Sequence, residues 1–162
     1  MTSLSEFWWM SKSSTDKIKF HFPFGHFFFP NRTAAKSFLT KQIKREGRRI
    51  EAINYVFCSD TYLLEINRQY LKHDTLTDII TFELSPKDHP LLSDIYISIE
   101  RVRDNATAFN TSFQKELHRV IFHGALHLCG YKDKSEEQSQ QMRGMEEKWL
   151  TAYFVPRETE SL

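Results

Sequence analysis

The chain has 162 residues, 40% hydrophobic and 27% charged, and its 22 basic and 21 acidic side chains leave a formal charge of +1. That length fits one domain with a core of its own. The charge excludes a protein that holds nucleic acid by a global positive excess, so any such attraction must be local. Two cysteines, Cys58 and Cys129, exclude a disulfide framework and fit a reducing compartment.

The densest apolar run, FHFPFGHFFF at 20–29, is too short to span a membrane and is broken by Pro23 and Gly25. The opening MTSLSEFWWM has no basic n-region and no small-residue cleavage site, so secretion is not expected. A cytoplasmic protein without a membrane partner is the expectation. Residues 1–16 are Ser/Thr-rich and aperiodic, and they read as a poorly ordered extension within which Met10 is an alternative start. Residues 17–155 read as a single domain and 156–162 as a tail.

The alternating IKFHF (18–22) predicts a strand. Helical spacing follows from Asn31 to about Glu46, with Asn31 or Thr33 as cap, Ala34, Ala35, Phe38, Leu39 and Ile43 as the apolar stripe, and Gly47 as the stop. INYVFC (53–58) is a second strand. A helix capped by Asp60 runs to about Tyr70, then TDIITFEL (77–84) and LSDIYISI (92–99) predict two more strands. Helices follow from about Glu100 to Ala108, from a Ser112 cap to Gly130, and from Ser135 to about Trp149. The resulting class is α+β, with about four strands in a mixed sheet covered by about five helices.

One stretch carries chemistry: HGALHLCGYKD, residues 123–133. Residues four apart on a helix share a face, so His123 and His127 can reach one metal ion. Gly130 lacks a Cβ and permits a sharp left-handed turn, which can return Asp133 to the same point. Two imidazoles and a carboxylate are the three-ligand set of catalytic zinc, whose fourth position stays open. A histidine pair at this spacing also occurs on ordinary polar helix faces, but the glycine and the carboxylate favour the metal. Cys129 points to another face and reads as a small core residue. The spacing matches the metzincin signature H-E-x-x-H-x-x-G-x-x-H, with Gly124 where the protease glutamate would be. The peptidase base is therefore missing, and the metal is expected to activate water for another hydrolysis.

The motif resembles the H-G-x-L-H-L-x-G-Y-D-H pattern of the YbeY family, the bacterial rRNA-maturation endoribonucleases. INRQYLKHDTLTDIITF (66–82) is similar to that family's L-N-x-x-Y-R-x-K-D-x-P-T-D-V-L-S-F block, and SDIYIS (93–98) to its G-D-I-x-I-S strand. The resemblance implies a metzincin-like metal helix and one Zn2+ ion (or another divalent metal). It also implies single-strand-specific cleavage of rRNA at the small-subunit 3′ end, with the small ribosomal subunit and its assembly factors as partners. Carried over, His123 and His127 match two metal ligands, and Asp133 stands where a third histidine is usual. Beyond a metal-bound water, no catalytic group is identified. Leu71 replaces an arginine expected to contact phosphate, leaving Arg68 or Lys72 to substitute.

Residues 31–49 hold Arg32, Lys36, Lys41, Lys44, Arg45, Arg48 and Arg49 against the single acid Glu46, a local basic patch suited to phosphate. Of these, Lys44, Arg45, Arg48 and Arg49 are the candidate RNA contacts, together with Arg119, one turn before His123. Asp74, Thr77 and Asp78 read as structural support. Two alternatives stand beside the nuclease: a metalloendopeptidase-like zinc hydrolase, and a non-catalytic ribosome-associated zinc protein.

Overall fold

A computed structural model describes residues 16–71 and 77–160, with side chains as far as 155. In chain order the elements are β1 (Ile18–His21), α1 (Arg32–Arg45), β2 (Ile50–Cys58), α2 (Asp60–Ile66) and a π-helical turn (Asn67–Leu71). Then come β3 (Ile79–Glu83), β4 (Leu91–Ser98), α3 (Ile99–Ala108), α4 (Phe113–Leu128) and α5 (Glu136–Glu160). The expected α+β class holds: among the described residues four strands form one mixed sheet in the order β1-β2-β4-β3, with five α-helices. The extension expected over 1–16 lies outside the described residues except for Asp16, and so do Lys72 and Asp74.

β1, β2 and β4 run parallel, with α1 as the crossover between the first two. β3 pairs antiparallel with β4 and so forms an edge. Side chains alternate across the sheet, and Ile53, Tyr55 and Phe57 of β2 with Leu91, Ile95 and Ile97 of β4 meet the buried stripe of α4 in one core. The opposite face is apolar only under α2, where Cys58, Leu63, Ile66 and Ile80 cluster. Beyond it lies a polar chain: His21 Nε2 sits 2.9 Å from Asn54 Oδ1, and Asn54 donates to Asp94 at 3.2 Å. Asp94 therefore serves that face and not the metal motif.

α4, which carries the histidine motif, is held at both ends. The Ser112 hydroxyl accepts from Lys115 N at 3.1 Å. At the other end Gly130 takes φ +99°, its N–H donates to His127 O, and Tyr131 N–H reaches back to Leu126 O. This closes α4 as a Schellman turn. Along its length α4 lies hard against the sheet: a Cβ on Gly124 would stand 2.9 Å from Ile79 Cδ1 and 3.2 Å from Ile95 Cγ2. A side chain there would press on both isoleucines, so the glycine is what lets α4 lie this close to the sheet.

Three boundaries differ from expectation for identifiable reasons. Ser59, not Asp60, caps α2, its hydroxyl accepting from Tyr62 N at 3.1 Å. The helix expected to reach Tyr70 changes to π geometry at Asn67, which periodicity does not announce. α5 continues past Trp149 to Glu160, because Met142, Trp149, Leu150 and Tyr153 extend its buried stripe against Phe38 and Phe122. Its start is a reciprocal cap: Gln138 N donates to Ser135 Oγ, while Gln138 Oε1 accepts from the backbone of Lys134 and Ser135.

Candidate metal centre

α4 delivers His123 and His127 one turn apart, and the Gly130 turn returns the chain so that Asp133 faces both. The two Nε2 atoms lie 3.0 Å apart, with Asp133 Oδ2 at 3.2 Å from the first and 3.3 Å from the second. Four ligands at bonds of about 2.0–2.1 Å on a tetrahedron stand about 3.3 Å from one another. The three donor atoms thus already form one face of such a tetrahedron.

The remaining ring nitrogens decide what the donors can do. His127 Nδ1 is 3.0 Å from the carbonyl oxygen of Tyr131, which can only accept, so this nitrogen carries the proton. His123 Nδ1 is 2.7 Å from Glu146 Oε2 of α5. Burial alone would raise the Glu146 carboxyl, but the His123 hydrogen bond and the Arg119 charge bring it below the ordinary carboxylate value. It is therefore ionised and accepts. In the neutral rings both Nε2 atoms then present lone pairs toward each other at 3.0 Å, with a carboxylate oxygen beside them. Three electron-rich atoms at that spacing repel, and a divalent cation between them removes the repulsion. The donor set fits a metal ion.

Glu146 is the residue that motif reading missed. It is buried to 4% exposure and tied to Arg119 Nη1 at 3.1 Å. Arg119 Nε donates to both oxygens of the equally buried Glu116, at 2.9 and 3.1 Å, and Nη2 stands 3.6 Å from Asp78. These carboxylates hold the guanidinium charged and commit its donors, so Arg119 braces Glu146, and through it His123. Asp78 also accepts from Asn105 Nδ2 at 3.2 Å, and burial raises its carboxyl against the opposing pull of Arg119. His118 turns the other way, into the aromatic core against Tyr153.

Because the Glu146 pKa is lowered in the fold, this group contributes stability above the ordinary carboxylate value that is lost as pH falls through the lowered one. Thermal melting of the metal-free protein from pH 7 to 3 is expected to show that loss, and Glu146→Gln is expected to flatten it. An unchanged acid limb in the variant would remove Glu146 from the linkage.

A cavity of about 640 Å3 opens at the donors. Asn67, Leu71, residues 77–81 and Glu83 line it on one side, with His123, His127, Leu128 and Asp133 on the other. Asp78, Glu83 and Asp133 make this cleft acidic, so an anionic substrate is repelled unless a cation is bound. Asp133 is the most exposed donor, its side chain 41% accessible. Asp133→Asn is expected to leave metal-free stability within about 0.5 kcal/mol. Metal affinity should drop about tenfold or more, read by titration calorimetry. Equal affinity would show that the carboxylate charge is not used.

Residues 30–154 match the family model described as Endoribonuclease YbeY. The chain belongs to the YbeY family. The Endoribonuclease YbeY of Flavobacterium psychrophilum is 50% identical over 123 residues, covering 76% of this chain and 87% of the relative. That of Christiangramia forsetii is 47% identical over 120 residues, covering 74% and 83%. The solution structure of TM1509 from Thermotoga maritima matches with a TM-score of 0.61 at 26% identity, over 88% of this chain and 93% of that one.

Against the YbeY pattern, the Asp133 carboxylate stands at the third donor point. Leu71 lines the cleft at 42% exposure, a hydrophobic surface where the pattern has arginine. Arg68 is exposed on the π-turn but is not among the residues lining the cleft. Lys44, Arg48 and Arg49 line a separate groove beside α1, while exposed Arg45 stands outside that lining. Among the described residues no helix is long and apolar enough to cross a membrane.

Proposed function

We propose that the chain is a metal-dependent endoribonuclease that cuts single-stranded RNA during rRNA maturation, at the small-subunit 3′ end. The observation that carries this reading is the convergence of His123 Nε2, His127 Nε2 and Asp133 Oδ2 on one point at the mouth of an acidic cleft. A bound divalent ion, for which we propose zinc, would supply a more acidic water and a positive charge for a phosphate oxygen. The chain's own part is to hold that point. Tyr131 O and Glu146 fix both Nδ1 protons, which turns both Nε2 lone pairs inward. Arg119 fixes Glu146, and Asp133 adds the charge. Asp78 and Thr77 shape the opposite wall, the Thr77 hydroxyl donating to Ile79 O at 3.2 Å.

A metzincin-type peptidase has its base at position 124, where this chain has a glycine packed against Ile79 and Ile95. The small ribosomal subunit and its assembly factors are the proposed partners and the cytoplasm the proposed compartment, both following from the RNA substrate. The test is cleavage of a single-stranded RNA spanning a small-subunit 3′ end, comparing metal-free, zinc-reloaded and His127→Ala protein. Cutting restored by zinc and missing from the variant supports the reading. Zinc bound stoichiometrically with no cutting in any sample would replace it with a structural metal site.

A further inference from the structure

The second groove of the molecule, about 790 Å3, runs along α1 and is lined by Lys17, Lys36, Lys41, Lys44, Arg48 and Arg49, with Asp16 as its one acid. In a chain of net charge +1 this concentrates positive charge on one strip of surface. Its floor is apolar, including Ile18, Ile50 and Pro90, and Lys36 Nζ lies 5.2 Å over the Phe20 ring.

What distinguishes the groove from an ordinary solvated helix face is where it ends. Arg48 lines it, yet Arg48 Nη1 donates to Leu128 O at the last turn of the metal helix at 2.9 Å. Arg48 Nη2 stands 3.8 Å from Glu83 Oε1. Leu128 and Glu83 both line the metal cleft. A further hydrogen bond fixes the same junction: the Tyr131 hydroxyl, two residues before Asp133, donates to Glu46 at the end of α1 at 3.2 Å. The cleft and the groove therefore meet at one guanidinium. The Arg48–Glu83 pair is long and half exposed, so it holds the arginine in place weakly. A phosphate can take Glu83's place with two charge-assisted hydrogen bonds.

The geometry points to a continuous track: single-stranded RNA leaves the metal cleft over Arg48 and continues along α1, its phosphates held by Lys41, Lys44 and their neighbours. Arg48, reaching the lip from the α1–β2 turn, supplies the positive charge that Leu71 does not. α1 has 14 residues and so is about 21 Å long, room for several nucleotides beyond the cleft. This inference deepens the nuclease reading and rests on it for the identity of the ligand.

The test is binding of 5′-fluorescent uridine oligonucleotides of four and twelve nucleotides to the zinc-loaded protein. It is read by anisotropy on ice over a salt series, with RNA length checked by gel. The twelve-mer is expected to bind at least tenfold more tightly than the four-mer. Lys41→Ala/Lys44→Ala, two exposed positions, should erase most of that advantage. The log–log salt slope should flatten by about 1.4, because each single-strand phosphate neutralised by a lysine adds about 0.7 to it. Arg48→Ala should weaken both lengths. A double variant that binds the twelve-mer with wild-type affinity and slope would overturn the track, as would wild-type binding that ignores length. Length-dependent binding that disappears in the double variant, with no metal-dependent cutting, would keep the track and overturn the nuclease reading instead.

Discussion

Replacing His127 with alanine is expected to abolish stoichiometric metal binding and to slow RNA cleavage about a thousandfold or more, equivalent to about 4 kcal/mol of lost barrier lowering. The number of donors sets this expectation. Among the described residues only three converge, so losing one leaves an imidazole and a carboxylate, too few to hold zinc against water. The fold should survive. The His127 side chain is 30% accessible, and its Nδ1 hydrogen bond to Tyr131 O is worth about 1 kcal/mol. Melting temperature in the metal-free state should therefore fall by only about 2–4 °C while metal content, measured by mass spectrometry after dialysis, goes to zero. A variant that keeps a full equivalent of metal would show that the ion sits elsewhere.

Glu146→Ala is the change with the largest structural effect. Arg119 keeps Glu116 and Asp78 as partners, but its Nη1 and the Nδ1 of His123 lose their acceptor, and an unsatisfied buried donor costs about 1–3 kcal/mol. The substitution also frees His123 Nδ1, and with it the ring orientation and tautomer. Loss of such a partner lowers metal affinity about 10- to 100-fold. Two readouts separate the effects: chemical denaturation of the metal-free protein reports the ion cluster, and zinc titration of Glu146→Gln reports the ring. Glutamine keeps an acceptor for His123 but not the charge for Arg119, so it should recover part of the metal affinity and little of the stability. A Glu146→Ala protein as stable as wild type would mean that Arg119 Nη1 and His123 Nδ1 are satisfied by solvent.

The donor triad was legible because it is local. His123, His127, Gly130 and Asp133 fall within eleven residues, and their spacing alone encodes a helix face, a left-handed turn and a return. Glu146 was not legible in the same way, since its role depends on how α5 crosses α4. A signal did exist. Met142, Trp149, Leu150 and Tyr153 form the buried stripe of α5, and Glu146 occupies the position between them where helical spacing demands an apolar residue. An acid on a buried stripe needs a partner. The strands were legible to within a few residues, because alternation fixes their faces but not their ends. The π-turn was hidden, as its sequence continues an ordinary helix. Arg48 was visible as one cation among several; its reach to Leu128 spans 80 residues of chain and has no local signature.

Glu146 also sets an order of events during synthesis. The three donors are complete once residue 133 has been added, yet the acceptor that orients His123 lies thirteen residues further on, in the last described helix. Domains emerging from the ribosome fold as their segments become available. A nascent chain therefore exposes its histidines before it can orient both of them, and it gains a competent site only after α5 has docked. A hydrolase of RNA built this way becomes competent only after Glu146 has been added and α5 has packed against α4.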